Sequence, residues 1–217
     1  MLDLLLINGQ YPDFDSGEMK SANIGVADGK IAYIGGETPE AAKTIDVSGC
    51  VVSPGFIDIH MHEENFKDEG ESYVIAQMML EMGVTTAVGG NCGIQKQDLS
   101  YFKEVLERLG GSPVNYIMLA GYNQMRYKLG IPRYETATKE QREEIRALLR
   151  RELDEGAYGV SFGIEYDPGI TTEEVLDALS VSDDPHLLAA AHYREDCLTS
   201  IDSVTEMIEI AEKIPMK

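Results

Sequence analysis

The sequence predicts an α/β fold, with a small β-rich unit over residues 1–53 followed by five βα units over residues 54–217. Two patterns and one motif carry that expectation. Before Pro54-Gly55 the apolar runs are short and broken by turn pairs, which is how strands read. Beyond it, short apolar runs alternate with amphipathic stretches, as in parallel strands joined by helices. The junction leads directly into Phe56-Ile57-Asp58-Ile59-His60-Met61-His62, which sets two imidazoles at i and i+2 near the end of an apolar run.

In the first unit, Asp3 to Ile7 reads as a strand that ends at the turn pair Asn8-Gly9. Ala22 to Val26 and Lys30 to Ile34 flank Asp28-Gly29, a hairpin signal. A further strand is expected over Thr44 to Val47. In the second unit, strands are expected at Phe56–His60, Val84–Val88, Val114–Leu119, Ala157–Phe162 and Leu187–His192. Helices are expected at Tyr73–Met82, Leu99–Leu109, Gln141–Leu153, Glu173–Leu179 and Ser200–Ile214. Thr138 stands three residues before Gln141, and Thr171 three before Glu174, so two helices start with capping boxes. Gly156 is placed to terminate the third helix. A complete eight-unit barrel takes roughly 250 residues, so the chain reads as a barrel cut before its sixth strand.

Composition narrows the partners. The 217 residues carry a net charge of −20, which repels nucleic acid and anionic membrane alike. A hydrophobic content of 43% with 26% charged residues suits a folded chain rather than an acidic tail. Leu4-Leu5-Leu6-Ile7 is too short for a signal peptide or a membrane span. The three cysteines, Cys50, Cys92 and Cys197, form no CxxC and cannot all pair, which points to a reducing compartment such as the cytoplasm.

The chemistry is expected at strand ends. Strand alternation puts Asp58, His60 and His62 on one face, and histidine nitrogen is a ready zinc ligand. Cys92 follows the second strand in a glycine-rich turn, Gly89-Gly90-Asn91-Cys92-Gly93, where a thiolate would be a soft metal ligand. His192 ends the fifth strand and completes an N/S cluster drawn from three strand ends. An anionic substrate approaching so acidic a chain needs local cations, and Arg126 and Arg194 are the candidates. By contrast, His186 reads as a loop residue, Cys50 and Cys197 as packing thiols, and Asp58 as a structural acceptor. Glu63, Glu64, Asp68, Glu69 and Glu71 read as a solvated acidic loop, and Met78, Met79 and Met82 as a packing face.

These motifs resemble the amidohydrolase superfamily, and within it the N-acyl-D-amino-acid deacylases (D-aminoacylases). The likeness runs along the whole chain, through DLLLINGQ, IGVADGKIAYIG, PGFIDIHMH, GVTTAVGGNCGI, GAYGVSFGIEYDPG and AHYRED. PGFIDxHxH marks only the superfamily, whereas GVTT…NCG is more specific to the deacylases. The resemblance implies an incomplete β-sandwich at residues 1–53 and the first five units of a TIM-like (β/α)8 barrel at 54–217. It implies one or two zinc ions, the main one on Cys92 and His192 and a second at His60 and His62. It also implies that Tyr166 helps hold the carboxylate of an N-acyl-D-amino acid whose amide is hydrolysed. A further histidine ligand and a catalytic aspartate are implied beyond Lys217, so the chain would hold the front half of an active site. The sequence departs from the family after HxH, where Glu63 stands for a frequent aspartate. It departs again at Gly121-Tyr122, where the family has Gly-His, and at Phe162, where a threonine is common. These changes are expected to line the mouth of the barrel.

Two other readings compete. Dihydroorotase-, hydantoinase- or isoaspartyl-dipeptidase-like amidohydrolases usually carry a carboxylated lysine on the fourth strand, and no lysine lies between Tyr158 and Tyr166. Alternatively the chain is an inactive fragment that needs a complementary half, or self-associates through its exposed barrel edge.

Overall fold

The computed structural model describes residues 1–216; Lys217 lies outside the described residues. The chain divides into two compact units, Met1–Gly55 and Phe56–Lys217.

The first unit is one mixed sheet built from β1 (Leu2–Asp13), β2 (Glu18–Ala27), β3 (Lys30–Gly35) and β4 (Ala41–Asp46), in the order β3-β2-β1-β4. The β2–β3 hairpin turns on Asp28 and Gly29, with φ of 51° and 70°, the left-handed pair that an Asp-Gly turn supplies. The Asn8-Gly9 pair does not end the first strand. Asn8 has φ 63° at a register shift between Leu6 and Gly9, so it forms a bulge and the strand runs on to Asp13. The Asn23 side-chain oxygen accepts from the Asn8 backbone N–H at 3.0 Å, and the Asn8 amide donates to Asp46 at 3.2 Å. Of the incomplete sandwich expected here, the unit holds one sheet. All four strands join a single ladder, and the described residues of this unit contain no second sheet to face it. Tyr11, Phe14, Ile24, Ile31, Ile34 and Val52 instead border a cavity of about 410 Å³.

The second unit opens with β5 (Phe56–Asp58), two helices α1 (Phe66–Glu69) and α2 (Ile75–Glu81), then β6 (Val84–Gly89) and α3 (Leu99–Arg108). It continues through β7 (Asn115–Met118), β8 (Ala120–Gly121), α4 (Tyr122–Lys128) and α5 (Lys139–Asp154). β9 (Gly159–Gly163), α6 (Thr172–Leu179), β10 (Leu188–His192) and α7 (Ser200–Ala211) complete it. Every strand pair is parallel, β5-β6-β7 on one side and β8-β9-β10 on the other. β7 and β8 are one run interrupted at Leu119. The Leu119 N–H donates to Gly89 at 3.0 Å, while the Met118 carbonyl accepts from Tyr158 at 2.7 Å. The strands therefore follow one another in chain order, and the loops after them lie at a common end. β9 is buried along its whole length, as a parallel strand covered on both faces must be.

Both capping boxes form. Thr138 accepts from Gln141 N–H at 3.2 Å, and Gln141 accepts from Thr138 N–H at 2.9 Å. Thr171 and Glu174 repeat the exchange, each at 3.2 Å. Thr138→Ala removes one partner of an exposed cap and is expected to lower stability by about 1 kcal/mol; urea unfolding measures it. The packing face expected of three methionines is carried by Met79 alone, since Met78 and Met82 are exposed. The sequence reading contained neither α1 nor α4. In α4, Tyr122, Asn123, Met125 and Arg126 are all buried. Their polar groups turn inward, which erases the apolar periodicity by which a helix is recognised.

Candidate metal centre

β5 stops at Asp58, earlier than alternation suggests, because the Asp58 carboxylate accepts from the His60 N–H at 3.0 Å and bends the chain. His60 is exposed and His62 half-buried. Their ring centroids are 6.0 Å apart and the planes nearly perpendicular, at 86°.

Cys92 arrives from the loop after β6. Its φ of 57° is left-handed, which costs a non-glycine residue on the order of 1–3 kcal/mol. The surrounding structure holds that conformation. Ser161 on β9 donates to the Gly90 carbonyl and accepts from the Gly93 N–H at 3.0 Å. The Asn91 amide donates to Val88 at 2.8 Å, and the Gly93 carbonyl accepts from Gln124 at 3.0 Å. Gly163 is required as glycine, since a Cβ there would stand 2.3 Å from the Cys92 carbonyl oxygen.

Glu63 and Glu64, read from the sequence as solvated, are buried tethers. Glu63 accepts from the Gly90 N–H at 2.9 Å and from the Lys96 N–H at 2.7 Å, tying the chain after His62 to the cysteine loop. Glu64 accepts from the Ala76 N–H at 2.8 Å and from the Tyr116 hydroxyl. Nothing in the sequence separates these acids from a surface run.

The ligand atoms of His60, His62 and Cys92 all lie within 4.8 Å of one another. Cys92 Sγ is 3.3 Å from His60 Nε2. His192, expected in the same cluster, lies outside this group of three and approaches only its sulfur, with Nδ1 4.0 Å from Cys92 Sγ. Its other neighbours form a second cluster, with Glu165 Oε2 2.5 Å and Asp196 Oδ2 3.6 Å from Nε2. The Tyr166 hydroxyl lies 3.1 Å from His192 Nδ1.

The donor set suits a transition metal. Burial lowers the His62 pKa, which favours the neutral imidazole that can ligate. His62 Nδ1 is buried with no hydrogen-bond partner, an unsatisfied nitrogen beside a second imidazole and a thiol. Burial also raises the Cys92 pKa, partly offset by the Tyr166 hydroxyl, so the sulfur needs a nearby cation to become a thiolate. A nitrogen and sulfur set of this kind matches zinc.

The two arginines are placed otherwise than the sequence suggested. Arg126 is fully buried and spends its guanidinium on Glu174 at 2.6 Å and on the Pro132 and Glu135 carbonyls, with Asp167 3.7 Å from Nε. Arg194 forks onto Glu206 at 2.9 and 2.7 Å and donates to the Ile170 carbonyl at 2.8 Å. Most of their N–H groups go to protein acceptors; Arg126 Nε is buried without a hydrogen bond, and Arg194 stays partly exposed. Tyr122 and Phe162, expected at the mouth, are core residues with ring centroids 5.0 Å apart. Two departures from the family pattern thus pack against each other.

A parallel sheet that brings His-x-His from one strand end to a cysteine from the next defines a metal-dependent hydrolase type of site. The chain belongs to the amidohydrolase family, which it matches over residues 51–213. It is similar to the D-aminoacylase of Alcaligenes xylosoxydans xylosoxydans, at 30% identity over 98% of this chain and 48% of that protein. Among solved structures, a D-aminoacylase described as having a binuclear metal centre superposes with a TM-score of 0.84 at 26% identity, covering 100% of this chain and 51% of that one. The N-acyl-D-glutamate deacylase of Bordetella bronchiseptica, solved with zinc and a phosphonate mimic of the tetrahedral intermediate, gives 0.84 at 25%, covering 99% and 50%. The chain spans about half the length of the relatives it matches.

Proposed function

We propose that the complete protein is a zinc-dependent deacylase that hydrolyses the linear amide of N-acyl-D-amino acids in the cytoplasm. The observation that carries this reading is the meeting of His60, His62 and Cys92 within 4.8 Å, in a chain similar to D-aminoacylase along 98% of its length. In this reading residues 56–217 are the first five βα units of a TIM-like barrel. Cys92 and His192 hold the main ion, and His60 and His62 a second. The edges of β5 and β10 each have one strand neighbour among the described residues. Further strands, from the rest of the protein or from a second chain, would pair there.

When bound, zinc supplies Lewis-acid polarisation of an acyl carbonyl and acidifies water. This chain's own groups bind and orient. Cys92 contributes a soft ligand that is anionic once deprotonated, and His62 comes without a charge to displace. The Tyr166 hydroxyl, 3.1 Å from His192 Nδ1, would turn its proton to the carboxylate of a bound substrate. Lysine is absent from β9, which counts against the amidohydrolases that use a carboxylated lysine on the fourth strand.

The test is hydrolysis of paired N-acetyl-D- and N-acetyl-L-amino acids before and after chelation. Hydrolysis of the D series that chelation removes and zinc restores is expected. A preference for the L series, or turnover that survives chelation, contradicts the reading. Tyr166→Phe is expected to raise KM by about 10-fold, the worth of one hydrogen bond to a charged group, with a smaller change in kcat.

A further inference from the structure

His192 is bonded at both ring nitrogens. Nε2 lies 2.5 Å from Glu165 Oε2, and Nδ1 lies 3.1 Å from the Tyr166 hydroxyl and 4.0 Å from Cys92 Sγ. An ionised carboxylate only accepts hydrogen bonds, so the short contact to Glu165 requires the proton on Nε2. In the neutral ring Nδ1 is then a bare lone pair, to which the Tyr166 hydroxyl, able to donate or accept, can donate. The Glu165 carboxylate alone selects the tautomer. Asp196, at 3.6 Å from Nε2, is too far to make this bond. Glu165 is itself fixed near the ring by its place in the sequence. It precedes Tyr166 in the turn after β9, which carries both side chains to opposite nitrogens of one imidazole. The Tyr166 ring lies against the His192 ring, with centroids 4.6 Å apart and planes tilted by 45°.

We propose that Glu165 is a positioning residue for His192: its carboxylate keeps the ring proton on Nε2 and holds the unprotonated Nδ1 toward Cys92. This is the arrangement in which a metal-ligating histidine donates its other N–H to a carboxylate, which fixes the tautomer and makes the free nitrogen a stronger donor. The part concerning metal rests on the zinc reading above; the tautomer does not.

The test has two readouts. Nitrogen-15 NMR of the metal-free protein at pH 8 reports which ring nitrogen carries the proton. A His192→Gln variant identifies its signal among the four histidines. The wild type is expected to be protonated at Nε2 alone. Glu165→Gln retains an accepting oxygen and keeps that tautomer, whereas Glu165→Ala gives a mixture of the two. A wild-type proton on Nδ1 overturns the proposal, as does an unchanged tautomer in Glu165→Ala, which would pass the role to Asp196. Zinc titration is the second readout. Glu165→Ala is expected to bind about 10- to 100-fold more weakly, with Glu165→Gln between it and the wild type. Equal affinities overturn the role in metal binding. A wild type that binds no zinc defeats the zinc reading instead, and the tautomer still decides what Glu165 does.

Discussion

Cys92→Ala is expected to weaken zinc binding by about 10²- to 10³-fold. That is one ligand's share of a zinc-binding free energy on the order of 10–16 kcal/mol spread over four ligands. The variant is informative because it separates the sulfur from the loop that carries it. Alanine makes the same demand on the left-handed backbone as cysteine at φ 57°. The bonds from Ser161, Asn91 and Gln124 to the loop go to or from its backbone and survive the change. The metal-free protein should therefore lose no more than about 1 kcal/mol, the worth of one buried heavy atom. Chelator competition gives the affinity, and urea unfolding of the apo form gives the stability. Unchanged zinc affinity would make Cys92 a packing residue.

Glu174→Ala is expected to destabilise the fold by about 3–5 kcal/mol, because it leaves the fully buried Arg126 without its hydrogen-bonded carboxylate. Glu174 gathers three further groups. It accepts from the Tyr122 hydroxyl at 3.1 Å and the Ala137 N–H at 3.3 Å, and it closes the capping box of α6. Asp167 does not replace it, since Asp167 Oδ2 and Arg126 Nε face each other at 3.7 Å without a hydrogen bond. The lesion should reach the site as well. Asp167 is held by the Tyr127 hydroxyl at 3.0 Å and is the residue next to Tyr166. Urea unfolding measures the loss, and a change below about 1 kcal/mol would show that Arg126 finds other acceptors.

How much of this was legible depended on where the signal was local. The strands and most helices of the second unit follow from apolar periodicity, and the capping boxes from residue identity at fixed spacing. The histidines and Cys92 announce themselves by motif and by the glycines beside the sulfur. Asn8-Gly9 was misread because the pair that closes a hairpin also makes a bulge, and only the partner strand decides between them. Glu63, Glu64 and Arg126 were misread for a different reason. A charged residue looks solvent-exposed until its partners are known, and Gly90, Tyr116 and Glu174 lie 27, 52 and 48 positions from Glu63, Glu64 and Arg126. The role of Glu165 was hidden in the same way, since its partner His192 is 27 residues distant.

The central claim is that imidazole nitrogens and the Cys92 sulfur share one cation. X-ray absorption at the zinc edge of the loaded protein tests it most directly. The account predicts a mixed shell with one sulfur at about 2.3 Å and nitrogen or oxygen at about 2.0–2.1 Å, and loss of the sulfur in Cys92→Ala. A shell of nitrogen and oxygen alone in the wild type would contradict it.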